Sequence, residues 1–320
     1  MRILVTGANS MLGTHLVKDL LRQNYNVRAM VRKKNKMIVS SHAQLEIVKG
    51  DLKDKTSLVV AVKNVDAIIH NAAFTAQNEP LYEKYYQINV LGTQYLLTIA
   101  IQAKVKRFLF VSTAPTYYRN KHPKGKVQRL IEKTYYSQSK IEAENIVMKN
   151  ASFLHVNSIH PTFMIGKYDS KPSSGKIIQW MYRKKIIAYP SGGKNFVSAR
   201  QVSQSIIKIL EKGKNKKSYL ISGENLSYKH FFQLCLQVTK QQSTLIKIPS
   251  FLLSIAGWLG DIIRKLNIKT SWSTIHMKIL STKTYYQIKA QSFERVKTNS
   301  EQLPIRLEEA IKWMQKNNII

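Results

Sequence analysis

Carboxylates are scarce in this chain: 18 Asp and Glu stand against 51 Lys and Arg over 320 residues, a formal net charge of +33. Such a surplus raises nucleic acid, an anionic membrane surface and acidic substrates as partners. The basic residues, however, are spread along the chain. Local clusters occur at RKKNK (32–36), KHPKGK (121–126), YRKK (182–185) and KGKNKK (212–217), and each reads equally as a solvated loop or helix end. Zinc-ligand spacing, an RNA-recognition signature and a basic arm or tail are all lacking. Nucleic acid is therefore not expected as a partner, and an anionic membrane surface stays open.

Cysteine is nearly absent. Cys235 stands alone, which excludes an internal disulfide and argues against a secreted disulfide scaffold. Long apolar runs are missing as well. The opening MRILVTGANS holds too short an apolar run for a signal peptide. The stretch FLLSIAGWLGDII (251–263) contains Asp261 and falls short of the roughly 20 residues that span a bilayer. The expected location is the cytoplasm. No solenoid repeat and no low-complexity segment appears. With 44% hydrophobic residues, the chain can bury a sizeable core in about two domains.

What is present is rhythm. RILVTG (2–7), NVRAMV (26–31), LEIVKGD (45–51), VDAIIHNAA (65–73), RFLFVST (107–113) and FLHVNSIHP (153–161) read as strands. Between them, 14–21, 54–63, 85–104 and 134–149 carry helical spacing. Strands alternating with helices imply an α/β fold built on a doubly wound parallel sheet, of Rossmann type. Residues 1–165 are expected to form this dinucleotide-binding domain. Residues 166–320 are expected to form a smaller α+β substrate domain, with short helices and loops over 166–196 and from about 218 onward. The stretch 194–210 reads as a return to the sheet followed by a packed helix.

In such sheets ligands sit at the carboxyl ends of the strands. The first strand runs into TGANSMLG (6–13) and a helix. Gly7 permits the tight turn and Gly13 lets helix and strand pack. Backbone N–H groups around Ser10, Met11 and Leu12 would then meet a pyrophosphate. The second strand ends in Arg32 and Lys33 where an acidic residue would favour NAD. A guanidinium there suits a 2′-phosphate, so NADP is expected and NAD stays open. Asp51, followed by Leu52, reads either as an acceptor for the adenine amino group or as an ordinary turn aspartate. Tyr136 and Lys140 lie one turn apart on the same face of their helix. A free phenol titrates near ~10, and a neighbouring ammonium is expected to lower that value.

Together TGANSMLG, GDL (50–52), HNAAF (70–74), NVLGT (89–93), FVSTA (110–114), YYSQSK (135–140) and HPTFMIGKYD (160–169) make the chain resemble an extended short-chain dehydrogenase/reductase. Within that group it is similar to the dihydroflavonol-reductase and 3β-hydroxysteroid-dehydrogenase branch. The resemblance implies that Tyr136 is the general acid–base, supported by Lys140. Thr113 would hydrogen-bond the substrate oxygen, and Asn89 would hold a water in the proton relay. Tyr135 and Ser112 fall one residue out of register. Ala72, Ala73 and Pro161 would line the cofactor. Phe74, Thr116, Phe163, Met164 and Ser174 would line a mostly apolar substrate pocket. His70 is expected to be structural. No metal site is implied.

The chain departs from the family pattern at Ser10, which replaces a glycine, and at Gln201, which replaces an aspartate. The activity implied is NADPH-dependent reduction of a carbonyl on a hydrophobic small molecule. Two alternatives stay open: a nucleotide-sugar epimerase or dehydratase that retains its cofactor, and a non-enzymatic cofactor-binding protein with a basic docking surface. The resemblance also implies a homodimer paired through the helices that carry NVLGT and YYSQSK.

Overall fold

The computed structural model describes residues 1–39, 41–76, 79–117, 132–286 and 303–320; the basic cluster at 121–126 lies outside them. The chain opens with β1 (Arg2–Thr6), α1 (Met11–Arg22), β2 (Asn26–Val31), β3 (Leu45–Lys49), α2 (Lys55–Val62) and β4 (Ala67–His70). A continuous helical stretch follows, made of α3 (Tyr82–Tyr85), a π-helical turn (Tyr86–Leu91) and α4 (Gly92–Gln102). Next come β5 (Arg107–Val111), α5 (Ala114–Tyr117), α6 (Tyr135–Lys149) and β6 (His155–Pro161).

β1 shows why this half folds as three layers. Side chains alternate across a strand. Ile3 and Val5 join a core with Leu16 and Leu20 of α1, while Leu4 joins a second core with Leu58, Leu96 and Ala143 from α2, α4 and α6. Both faces of the sheet are therefore covered, as parallel sheets require.

Beyond β6 run β7 (Phe163–Ile165), α7 (Lys176–Met181), β8 (Ile186–Tyr189), β9 (Gly193–Ser198), α8 (Ala199–Lys212) and β10 (Lys217–Ile221). β11 (Glu224–Ser227), α9 (Tyr228–Thr239), β12 (Thr244–Lys247), α10 (Ser250–Lys265), α11 (Thr274–Leu280), β13 (Lys283–Thr284) and α12 (Leu303–Lys316) follow. Among the described residues the large sheet has seven strands in the order β10-β6-β5-β4-β1-β2-β3. All its pairings are parallel. The order reverses direction between β1 and β4, which opens a crevice at their C-terminal ends.

Two readings of the C-terminal half are corrected. The strand within 194–210 does not return to the large sheet. β9 pairs with β7, β11 and β13 in a second sheet. β7 continues the chain just past β6, and Thr162 Oγ1 donates to Asn195 Oδ1 at 2.7 Å, fastening β9 there. Only the helix returns: Val202, Ile206 and Ile209 of α8 share the core of α1. The stretch beyond 217, read as helices and loops, instead begins with the seventh strand, β10, which pairs with β6. A third core joins Phe196 of β9, Phe231 of α9 and Leu307 of α12.

Candidate active site

Gly7, Arg32, Asp51, Asn71 and Ser112 each follow a strand of the large sheet, and Phe163 lies two residues past β6. Topology alone therefore gathers them along one edge. Gly7 takes a left-handed φ of +64°, and a Cβ there would lie 2.9 Å from Ala72 Cα. A Cβ on Gly13 would lie 2.2 Å from the Gly7 carbonyl oxygen. The bare backbone at both positions brings turn, helix and the Ala72–Ala73 segment together. Met11 and Leu12 turn their side chains into the core, so only their N–H groups, at the open end of α1, are available to a ligand.

Ser10 needs no glycine freedom. Its backbone is extended (φ −79°, ψ 169°), and its side chain caps α1. Its Oγ accepts from Gly13 N–H at 3.1 Å and from Asn71 Nδ2 at 2.9 Å. With both lone pairs occupied, the hydroxyl has only its proton left to offer. This first turn thus fits a dinucleotide pyrophosphate.

Arg32 and Lys33 are exposed at the end of β2. Among the described residues no carboxylate pairs with Arg32. Asp51 behaves as a turn aspartate: its Oδ1 accepts from Lys53 N–H at 3.0 Å. The Leu52 side chain is buried, and Gly92 packs against it. Only the Leu52 backbone is left for a cofactor.

α6 starts at Thr134, whose hydroxyl accepts from Ser137 N–H at 3.3 Å. This cap sets the phase that puts Tyr136, Lys140 and Glu144 on one helical face. Lys140 is 2% exposed. Its Nζ lies 4.0 Å from the centre of the Phe110 ring, a cation–π contact. Burial pushes this lysine down to about 7, with Glu144 pulling the other way.

The expected acidification of Tyr136 is not observed. Burial instead pushes its phenol up to about 12. A lysine held near half-charge, with its Nζ over a ring, does not offset the lost hydration of a phenolate. The phenol is thus neutral at physiological pH, the form that donates a proton.

The backbone around Tyr136 is tied down by Asn89, which lies in the π-helical turn. Asn89 Oδ1 accepts from Phe74 N–H at 2.7 Å. Its Nδ2 donates to the Phe74 carbonyl at 3.0 Å and to Ser139 Oγ at 2.9 Å. Ser139 Oγ in turn donates to the Tyr136 carbonyl at 2.8 Å. The Asn89 amide therefore joins the strand-end segment to α6, and its side chain is taken up by protein partners.

His70 is structural, as expected. Asn71 and Ala72 N–H groups donate to Thr6 Oγ1 at 3.1 and 3.0 Å. The Thr6 proton then goes to His70 Nδ1 at 2.8 Å. His70 Nε2 donates to Thr93 Oγ1 at 2.9 Å, and Thr93 donates to the Asn89 carbonyl at 2.6 Å. Burial, then the positive charge of Lys140, pushes His70 down to about 3. A neutral imidazole is the form this one-way chain requires.

Thr113 lies half-buried after β5, and its carbonyl accepts from Thr116 Oγ1 at 2.8 Å and His160 Nδ1 at 3.1 Å. Behind it, the Ser112 hydroxyl donates to Glu144 Oε2 at 2.9 Å, and Thr116 Oγ1 lies 3.2 Å from the same oxygen. His160 Nε2 is 3.1 Å from Glu144 Oε1. Burial works against the Glu144 carboxylate, yet His160 and the Ser112 hydroxyl hold it at about 2. Thr116, expected as a pocket wall, is buried inside this network.

Glu144 and His160 escaped the sequence reading. Glu144 had a usable signal, the same four-residue step that links Tyr136 to Lys140. Lys194 also went unnoticed. Its Nζ is 5.2 Å from the centre of the Phe163 ring, and burial pushes it down to about 8.

Of the expected pocket walls, Phe74 packs edge-on against Tyr85 at 4.9 Å and Phe163 against Phe196 at 5.5 Å. Met164 packs on the core of α1 and α8. The Ser174 loop is clamped by Asp169, whose Oδ2 accepts from Ser173 and Gly175 N–H groups at 3.1 and 2.9 Å. Pro161 is buried at the end of β6 beside Ile221.

The sequence profile of the NAD-dependent epimerase/dehydratase family matches residues 3–222. The chain belongs to this family. That membership makes it an NAD(P)-dependent oxidoreductase of the extended short-chain dehydrogenase/reductase type. Among relatives of the family, sterol demethylase protein B of Methylococcus capsulatus is 28% identical, covering 82% of this chain and 81% of its own. A putative dihydroflavonol 4-reductase of Synechocystis is 25% identical over 99% of this chain and 95% of its own. In fold, the dTDP-glucose 4,6-dehydratase DesIV of Streptomyces venezuelae superposes with a TM-score of 0.76 at 19% identity, covering 99% of this chain and 98% of its own.

Proposed function

We propose that the protein is an NADPH-dependent reductase of a carbonyl on a hydrophobic small molecule. One observation carries this reading: the Tyr136 phenol is neutral and half-buried, on a helix whose adjacent Tyr135 packs against Tyr85, itself edge-on to Phe74. When bound, NADPH supplies the hydride. Tyr136 supplies the proton that neutralises the oxygen of the reduced carbonyl. Thr113 offers a hydroxyl at the same strand end, and Lys140 places positive charge one turn beneath the phenol. Asn89 and Ser139 hold the backbone that carries Tyr136. Phe74 and Phe163 keep water from the reacting carbonyl. The relatives named for sterol and dihydroflavonol chemistry suit a polycyclic or aromatic ketone.

The choice of NADPH rests on Arg32, exposed and without a carboxylate partner among the described residues. Its guanidinium would take the 2′-phosphate. In fluorescence titrations NADPH is expected to bind more tightly than NADH, and Arg32→Ala to weaken NADPH about tenfold or more while leaving NADH nearly unchanged. Equal affinity for the two in the unmodified protein would refute the preference. Ser10 would donate its free proton to a phosphate oxygen. Ser10→Ala is expected to cost about 1 kcal/mol of stability through the lost cap and to weaken both dinucleotides alike.

The reaction itself is tested by incubating the protein with NADPH and a panel of hydrophobic ketones. Net loss of NADPH absorbance with stoichiometric alcohol supports the reading. Tight co-purification of oxidised cofactor with no net NADPH consumption would point to the epimerase alternative instead.

A further inference from the structure

A surface helix of a soluble domain turns its large apolar residues inward. α10 does the reverse. Its buried face is Leu253, Gly257 and Gly260. The two glycines let the following segment press close: a Cβ on Gly257 would lie 2.8 Å from Thr274 Cα, and one on Gly260 2.1 Å from the Trp272 carbonyl oxygen. On the outer face Phe251, Ile255, Trp258, Ile262 and, just past the helix, Leu266 form a single stripe, between 41% and 68% exposed. Among the described residues, nine of the 21 exposed large apolar side chains fall between 251 and 272, so this is a patch and not scatter.

The rim of the patch is basic. Between 248 and 286 the one carboxylate is Asp261, which accepts from Thr274 N–H at 3.2 Å. Lys265, Lys269 and Lys278 are exposed around it. Trp258 and Trp272 add the residue type that favours a bilayer interface. Among the described residues no helix is long and apolar enough to cross a membrane. A helix of this length with a basic margin lies along a membrane surface.

We propose that α10 and the turn after it dock the protein on a lipid bilayer with anionic head groups, the apolar stripe among the acyl chains and the lysines at the phosphates. A second copy of this chain fits the patch less well, because a two-fold contact sets the same basic rim against itself. The docked helix also adjoins the substrate side of the molecule. Arg264 Nη2 donates to the Glu79 carbonyl at 3.2 Å, and Lys269 Nζ lies 3.8 Å from Glu79 Oε2. Glu79 is five residues past Phe74. An apolar ketone dissolved in the bilayer would thus meet the pocket rim at the membrane. That delivery rests on the reductase reading, whereas the docking does not.

The test is flotation of the full chain with phosphatidylcholine vesicles, with and without added phosphatidylglycerol. The protein is expected to float with the mixed vesicles and to stay behind with pure phosphatidylcholine. Trp258→Asp with Ile262→Asp is expected to reduce flotation about tenfold or more, with NADPH affinity and melting temperature unchanged. Lys265→Glu with Lys278→Glu is expected to abolish the preference for anionic vesicles. Absence of flotation, or flotation indifferent to the Trp258 and Ile262 changes, overturns the proposal. So does a concentration-dependent dimer, seen by sedimentation, that those changes dissolve. Because NADPH binding is read separately, failure of docking and failure of the reductase reading are distinguishable.

Discussion

Tyr136→Phe is expected to lower carbonyl reduction by about 10²–10⁴-fold, the range removed with a general acid, and to leave NADPH affinity almost unchanged. The reasoning starts from the protonation state. A phenol pushed up to about 12 by burial keeps its proton at neutral pH. It therefore serves reduction, where a proton is given, better than oxidation, where one must be taken. Phenylalanine keeps the ring and its packing and removes only the donor. The helix is unaffected, because Ser139 holds Tyr136 by its carbonyl and not by its hydroxyl. Steady-state NADPH consumption, paired with a fluorescence titration and a melting curve, separates the effects. Turnover surviving at near the unmodified rate would mean that water or another side chain delivers the proton, and Tyr136 would lose its role.

Which parts of this site were legible in the sequence follows from the range of the interactions. Gly7, Gly13, Arg32, Tyr136 and Lys140 announce themselves through local patterns: a strand end, a turn or a one-turn helical step. The first six strands were legible for the same reason, as apolar runs separated by helical spacing. β9 and β10 were not assigned correctly, because periodicity identifies a strand without naming the neighbour it pairs with. Thr116 looked like a pocket wall from its place after β5. Its burial comes from Glu144 and His160, 28 and 44 residues away in the chain.

Ser10 looked like a defect in a glycine pattern. Asn71, 61 residues on, makes it a fully engaged cap. The sign of the Tyr136 shift was misjudged because spacing reveals neighbours but not hydration, and hydration dominates both Tyr136 and Lys140. The apolar run at 251–263 was visible too, but composition does not say that its large side chains face outward and its glycines inward.

Lys140→Met is expected to make the protein more stable and nearly inactive. The ammonium is buried with no ion pair to a carboxylate among the described residues, and replacing such a charge by an apolar side chain of similar length gains about 1–4 kcal/mol. The pH dependence checks the cause. Lys140 titrates at about 7 in the fold against 10.5 when unperturbed, so the folded state binds fewer protons between these values. The cost of burying the charge is fully present below about pH 7 and fades as pH rises towards about 10. The stability advantage of Lys140→Met, measured by urea denaturation, should therefore be largest in mild acid and shrink steadily into alkali. Carbonyl reduction should fall about 10²–10³-fold, as when a charge-stabilising donor is removed. A variant less stable than the unmodified protein, or one whose advantage does not change with pH, would show that the amine is held by compensating contacts. A lysine kept at a net cost in stability, one turn below a phenol that holds its proton, is what a catalytic charge looks like in a fold that gains nothing else from it.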